Sequence, residues 1–282
     1  MADYANPDVL ISDEELEARL GDPNLRIIEV DEDTSLYGKG HIPGAIAWNW
    51  KTDLHDPLRR DFVDQKQLSA LLKKSGVGAD TTVVLYGGNN NWFPAYTYWL
   101  LRYLGFDDVK LLNGGRKKWE LESRELTADV PSPSAPSQPV KLGAVRPELR
   151  ALRDEVISSV GGGETAYVDV RSPEEYRGDL LAPPHLPQEQ AQVPGHIPGA
   201  ANVPWSKAAN EDGTFKSADD LRELYSGVGV TGDQPTIAYC RIGERSSHTW
   251  FALTELLGLE NVKNYDGSWT EYGSLVNVPV ER

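Results

Sequence analysis

Cys240 is the only cysteine among the 282 residues, and its neighbours decide what it can do. It follows the apolar run Thr236-Ile237-Ala238-Tyr239 and precedes Arg241-Ile242-Gly243-Glu244-Arg245-Ser246, after which the pattern turns helical. The thiol is therefore expected at the carboxyl end of a strand, in a loop that feeds a helix N-terminus. Unpaired backbone N–H groups and the positive end of a helix dipole converge at such a place. That field, together with Arg241 and Arg245, favours thiolate over thiol and predicts a lowered pKa. Gly243 lets the short loop curl so that successive amides point inward. A lone cysteine is a buried filler, a surface thiol or a nucleophile. Two arginines beside an inert buried thiol would be costly to desolvate, which favours the nucleophile.

The composition excludes other chemistries. Lys+Arg number 28 against 43 Asp+Glu, a formal charge of −15. That balance disfavours non-specific nucleic-acid binding and an anionic membrane surface. One cysteine forms no internal disulfide and no Cys-rich zinc or iron–sulfur site. The five histidines show no metal-ligand spacing, so no metal and no cofactor is expected. No apolar run nears the roughly 18 residues of a membrane helix, and Met1-Ala2-Asp3-Tyr4 is unlike a secretory signal. A cytoplasmic protein is the expectation. Gly161-Gly162-Gly163 lacks the Lys-Ser/Thr of a phosphate loop and reads as a flexible connection.

The elements that must position the cysteine occur twice. His41-Ile42-Pro43-Gly44-Ala45 recurs as His196-Ile197-Pro198-Gly199-Ala200, each after a β-branched run with an acid near its end, Ile27-Ile28-Glu29-Val30 and Tyr167-Val168-Asp169-Val170. Tyr86 and Tyr239 stand 153 residues apart, as do Gly114 and Gly267. A constant offset of this length means duplicated domains and not a solenoid. The Pro/Ser run Pro131–Pro139 favours an extended, solvated segment. The expected division is a first domain over 1–130, a linker over 131–143 and a catalytic domain over 144–282. The second copy carries an insertion, Leu181 to Gly195, rich in Pro and Gln and read as a surface loop.

Strands and helices alternate within each copy. Ser12 with Glu15 forms a capping box for a helix to Leu20, and Asp64 caps a helix with Leu68, Leu71 and Leu72 on one face, ended by Gly76. Pro94 suits the first turn of a helix to Gly105, Pro147 opens one in the second copy, Ser217 starts another, and Arg245–Leu257 is a third. Strands are expected at 26–31, 82–86, 109–112, 166–170, 236–239 and 262–265. Apolar strands without strict alternation indicate α/β domains, each a mainly parallel sheet with helices on both faces. Such sheets place ligand sites at the carboxyl ends of their strands. The position matching Cys240 in the first copy is Gly87, followed by Gly88-Asn89-Asn90-Asn91-Trp92 with no thiol and no arginine. One copy is armed and the other supports it.

These residues resemble the tandem-domain rhodaneses, the thiosulfate sulfurtransferases, over nearly the whole chain. The resemblance rests on both His-Ile-Pro-Gly-Ala segments, Leu111-Leu112-Asn113-Gly114-Gly115, Cys240-Arg241-x-Gly243-x-Arg245 and Asp266-Gly267-Ser268-Trp269-x-Glu271. It implies that Cys240 attacks the outer sulfur of thiosulfate, expels sulfite and holds the sulfur as a persulfide. Loop amides and the helix dipole would cradle the anionic sulfur. A small nucleophile, cyanide in the assay reaction or a thiol in cells, would remove it, giving ping-pong kinetics. The loop residues Arg241, Ile242, Gly243, Glu244, Arg245 and Ser246 would form the substrate site, with Arg171 nearby. No general base is needed if the thiol is already ionised. A local positive pocket around Arg241 and Arg245 would then offset the −15 charge for an anionic donor.

The chain departs from the family pattern in four places. Ile242 stands where thiosulfate-using members carry lysine. Arg241 stands where mercaptopyruvate-using members carry a small residue. Glu175 stands where many tandem members have a substrate-contacting arginine, with Arg171 and Arg177 close in sequence. Arg245 replaces a common threonine and would supply the lost charge. The supporting residues are Asp169, positioned to orient Arg171 or Arg245 or to fix a loop, and Trp92, expected to wall the cleft from the first copy. His41 and His196 recur in both copies and read as architectural, and His248 lies too far along its helix to serve as a base. The competing functions are a 3-mercaptopyruvate sulfurtransferase, a Cdc25-like phosphatase, whose Cys-x5-Arg loop is one residue longer, and a non-catalytic sulfur-carrier module. A monomer is the expected oligomeric state.

Overall fold

The apolar runs form two parallel sheets. The computed structural model describes residues 3–183 and 190–282; Met1, Ala2 and positions 184–189 of the expected surface loop lie outside the described residues. In the first copy the strands are β1 (Leu10–Ile11), β2 (Leu25–Asp31), β3 (Ile46–Asn49), β4 (Thr82–Tyr86) and β5 (Val109–Leu112), in the order β1-β5-β4-β2-β3. In the second they are β6 (Ala166–Asp169), β7 (Ala201–Asn202), β8 (Thr236–Tyr239) and β9 (Val262–Tyr265), in the order β7-β6-β8-β9. The strand pairs are parallel, and helical crossovers join them. β4 and β8 lie between neighbours and are almost wholly buried, which is why their sequences do not alternate. The register repeats as well: Glu29 lies opposite Tyr86 and Asp169 opposite Tyr239.

Caps set the helix starts. Ser12 with Glu15 and Asp64 with Gln67 form capping boxes, and Ser172 with Glu175 forms a third. The ends differ from expectation where local bonds tighten or widen. The first helix stops at Glu17 because Arg19 and Leu20 N–H bond to carbonyls three residues back, and Gly21 then turns with φ +84°. Pro147 begins only a 3-10 turn, Pro147–Leu149, and the helix starts at Arg153. Between them Ala151 N–H bonds to Asn264 O at 3.0 Å, so the chain runs beside β9 before it can coil. The helix expected to Leu257 is α-helical over Glu244–Phe251 and widens into a π turn over Ala252–Leu256.

The chain divides into two compact units: Asp8–Arg146 with Glu211–Thr214, and Pro147–Asn210 with Phe215–Arg282 and Met1–Pro7. The Pro/Ser segment is largely exposed, yet Ala79 N–H bonds to Gln138 O and Gly143 N–H to Gly105 O, which lays it along the first unit. The described part of the Pro/Gln insertion is less superficial than expected. Ala191 joins a core with Trp269 and Tyr272, and Trp269 Nε1 donates to Val193 O at 3.0 Å. No helix among the described residues is long and apolar enough to cross a membrane.

Candidate active site

β8 delivers Cys240 directly into the loop. Tyr239 is fully buried and accepts the Ile197 N–H on its hydroxyl at 3.1 Å, tying the strand end to the His-Ile-Pro-Gly-Ala turn. Beyond it the chain turns at Gly243, whose φ is +95°. A Cβ there would sit 2.5 Å from the Asp266 Cα, so only glycine fits. The turn points the Gly243 N–H at Cys240 Sγ, 3.1 Å away. Four groups converge on the Gly243 carbonyl: the Ser246 and Ser247 hydroxyls, the Ser247 N–H and Asn264 Nδ2. The segment after β9 braces the other side. Ser268 Oγ accepts the Cys240 N–H at 3.0 Å, and the Trp269 and Thr270 N–H groups donate to Cys240 O and Arg241 O. Asp266 is held in turn by Arg150 at 2.8 and 2.9 Å.

The electrostatics differ from the expected picture. Cys240 is completely buried. Burial pushes its thiol above the ordinary range and the Glu244 carboxylate adds to that, while Arg245 and Ser246 pull it partly back. The expected lowered pKa is therefore corrected: burial and Glu244 outweigh the pull of Arg245 and Ser246. The thiol donates to Glu244 Oε2 at 3.4 Å, and Glu244 is itself buried. Arg245 makes a bidentate pair with buried Glu175, Nη1 to Oε2 at 2.9 Å and Nη2 to Oε1 at 3.1 Å. Burial alone would raise the Glu175 carboxyl, but the charge and hydrogen bonds of Arg245 outweigh it and hold it below its usual range. Arg245 is thus paired with Glu175, and Glu244 adds a second buried carboxylate at the sulfur, so the loop is less positive than its arginines alone suggest. Within the loop, Ile242 is the residue from 240 to 246 that is not fully buried.

Arg171 is occupied elsewhere. Its guanidinium bonds to Asp169 Oδ2 and to Gly195 O, at 2.6 and 2.7 Å, and its carbon lies 4.9 Å from the Trp269 ring centroid. The first copy builds the same bridge from a different arginine. Arg116 Nη2 bonds to Glu29 at 2.6 and 2.7 Å and to Gly40 O at 2.7 Å. In both copies a carboxylate in the carboxyl half of the first long strand is tied to the residue before the repeated histidine. The histidines repeat the theme: His41 Nδ1 bonds to Tyr37 O at 2.9 Å and His196 Nδ1 to Tyr176 O at 2.8 Å, each stacked on that tyrosine.

The unarmed loop is filled by an amide. Asn91, which is 153 positions before Glu244, is buried; its Oδ1 accepts the Gly87 N–H at 3.0 Å and its Nδ2 donates to Leu112 O at 2.6 Å. Trp92 opens the following helix in that unit, edge-on to Phe93. His248 is buried against Phe215, and burial lowers its pKa to about 3, unfit for a base at neutral pH. Among the described residues no group of His, Cys, Asp and Glu could hold a metal ion. Three contributors to the site have no role that the sequence assigns. Glu175 stands there only as a missing arginine and Ser268 only as part of a motif, while Glu244 reads as part of the substrate loop and not as the partner of the thiol. Asn264 and its loop contacts gave no signal at all.

This armed and unarmed pair of domains defines the class: the chain belongs to the rhodanese family, with a family model described as "Rhodanese-like domain" matching residues 12–122 and 152–275. It is a tandem rhodanese-fold sulfurtransferase that moves sulfane sulfur through a cysteine persulfide. A Mycolicibacterium smegmatis protein named "Putative thiosulfate sulfurtransferase" is 60% identical over 279 residues, covering 98% of this chain and 99% of its own. The "Sulfur carrier protein TtuD" of Thermus thermophilus is 51% identical over 282 residues, covering 99% and 98%. Among solved structures, the 3-mercaptopyruvate sulfurtransferase-type SseA of Escherichia coli superposes with a TM-score of 0.78 at 25% identity, over 93% of this chain and 98% of that one. YnjE superposes with a TM-score of 0.84 at 27% identity, over 99% of this chain and 69% of that one.

Proposed function

We propose that the chain takes the outer sulfur of thiosulfate onto Cys240 and passes it to a small nucleophile, cyanide or a thiol. The observation that carries this reading is the Gly243 N–H held 3.1 Å from Cys240 Sγ, in a loop braced from both sides. The Cys240 sulfur attacks the outer sulfur, the bond between that sulfur and the sulfonate breaks, and sulfite leaves with its electron pair. The thiol proton leaves with the sulfite. The acceptor then attacks the terminal sulfur of the persulfide, and Cys240 is released and reprotonated. Arg241 and Arg245 assist as loop cations, and Arg171 acts as a brace of the His196 turn. The name of the M. smegmatis relative supports thiosulfate as donor. The name of the Thermus relative supports a chain that carries sulfur and hands it on.

A 3-mercaptopyruvate donor is the second reading, favoured by the likeness to SseA. Arg241, bulky and charged directly after the nucleophile, speaks for thiosulfate. A reducing compartment keeps a lone thiol free, so the cytoplasm is the proposed location, with a monomer as the working unit. Initial rates with both donors test the proposal. Parallel double-reciprocal lines and a higher kcat/KM for thiosulfate support it, and a higher kcat/KM for mercaptopyruvate reassigns the donor.

A further inference from the structure

Glu244 touches the reacting sulfur, and neither the family resemblance nor the fold requires a carboxylate there. Its Oε2 lies 3.4 Å from Cys240 Sγ and both groups are buried, so solvent does little to screen them. The first copy shows that the loop needs no charge at this position. Neutral Asn91 occupies it and satisfies the backbone around Gly87. The charge is therefore an addition made where the sulfur sits. We propose that Glu244 acts on Cys240 as an electrostatic brake: it holds the resting sulfur as a thiol and destabilises the anionic persulfide, so that the loop hands sulfur on instead of storing it.

This inference rests on Cys240 as the sulfur acceptor. A thiol that donates to a carboxylate is stabilised in its protonated form. Once the persulfide forms, the same carboxylate faces an anion. Loading then reads as Cys–SH + S₂O₃²⁻ → Cys–S–S⁻ + HSO₃⁻, with the proton leaving on sulfite. Discharge to cyanide reads as Cys–S–S⁻ + CN⁻ + H⁺ → Cys–SH + SCN⁻, with the proton taken from solvent. Repulsion from Glu244 raises the persulfide state and is relieved on discharge. The other charged groups around the pair are Arg245, bound to Glu175 and 3.8 Å from Glu244 Oε1 through its Nε; Arg241; and Asp266, bound to Arg150. Arg245 is the one that opposes the brake, because it draws the Cys240 thiol down while Glu244 draws it up.

The test is Glu244→Gln, which keeps the shape and removes the charge, as Asn91 does in the other copy. The first readout is the rate of Cys240 alkylation by iodoacetamide against pH, which needs no sulfur donor. The variant is expected to alkylate about tenfold faster at neutral pH, with its midpoint lower by about one pH unit. The second readout is the persulfide after loading with thiosulfate and desalting: the variant is expected to keep it longer and to discharge to cyanide more slowly. Glu244→Asp retains the charge and is expected to stay close to the parent in both, which separates charge from folding. Unchanged or slower alkylation of the Gln variant overturns the brake; slower alkylation would make Glu244 a proton acceptor instead. If alkylation accelerates but thiosulfate leaves no sulfur on Cys240, the effect on the thiol stands and the proposed function falls.

Discussion

Arg245 and Glu175 form a bidentate ion pair in the second unit, with both side chains buried. The pair explains two departures from the family pattern at once. The arginine missing at 175 and the extra arginine at 245 are partners, so the guanidinium reaches the loop from its helix and is fixed by the carboxylate. Removing one partner strands the other charge in the interior. Glu175→Gln is therefore expected to cost about 3–5 kcal/mol of stability, read from urea unfolding. A loss under about 1 kcal/mol would mean that the pair behaves like a surface salt bridge.

The loop depends on Gly243 adopting φ +95° against Asp266. A methyl group there meets backbone, which cannot move aside as a flexible side chain would. Gly243→Ala is expected to displace the amide that faces Cys240 Sγ and to lower kcat at least about 100-fold, with the rest of the chain folded. Near-normal kcat in that variant would show that this amide does not matter to the sulfur.

Salt dependence separates local from overall charge. The loop cation Arg245 is paired with Glu175 and Glu244 lies at the sulfur, while the chain carries −15. An anionic donor is then repelled on approach, and screening helps it. kcat/KM for thiosulfate is expected to rise with ionic strength. A fall would mean that a positive pocket steers the donor after all.

Much of this arrangement was legible in the chain. The two-copy plan, six of the nine strands among the described residues and the place of Cys240 follow from the 153-residue offset and from apolar runs; β1, β3 and β7, short strands at sheet edges, carry no such signal. The roles of His41 and His196 followed from their presence in an unarmed copy. Partner choice was not legible. Asp169 had two candidate arginines, and Arg171 takes it because the guanidinium also reaches Gly195 O. The sign of the thiol shift is not legible for a related reason. Dipoles and arginines can be read from neighbours in sequence, but the complete burial of Cys240 and the angle that brings Glu244 to its sulfur arise only in the packed fold.

His248 links stability to acid. Burial holds its pKa at about 3, while an unfolded histidine titrates near about 6.5. Above the higher value both states are neutral. As pH falls below it the unfolded chain gains a proton that the folded chain refuses, so stability falls by up to about 1.4 kcal/mol per pH unit until the folded pKa is reached. His248→Phe keeps the stacking on Phe215 and removes a ring nitrogen, Nδ1, that has no hydrogen bond. Denaturant midpoints measured from pH 7 to pH 4 are expected to decline less steeply in that variant. An identical decline would place the acid sensitivity in other groups.

The central claim is that Cys240 carries the transferred sulfur, and mass spectrometry of the protein after brief exposure to thiosulfate tests it most directly. The expected result is a gain of about 32 Da on the peptide containing Cys240, matched by released sulfite and erased by cyanide. Turnover with Cys240 left unmodified, or continued turnover in Cys240→Ser, would contradict it.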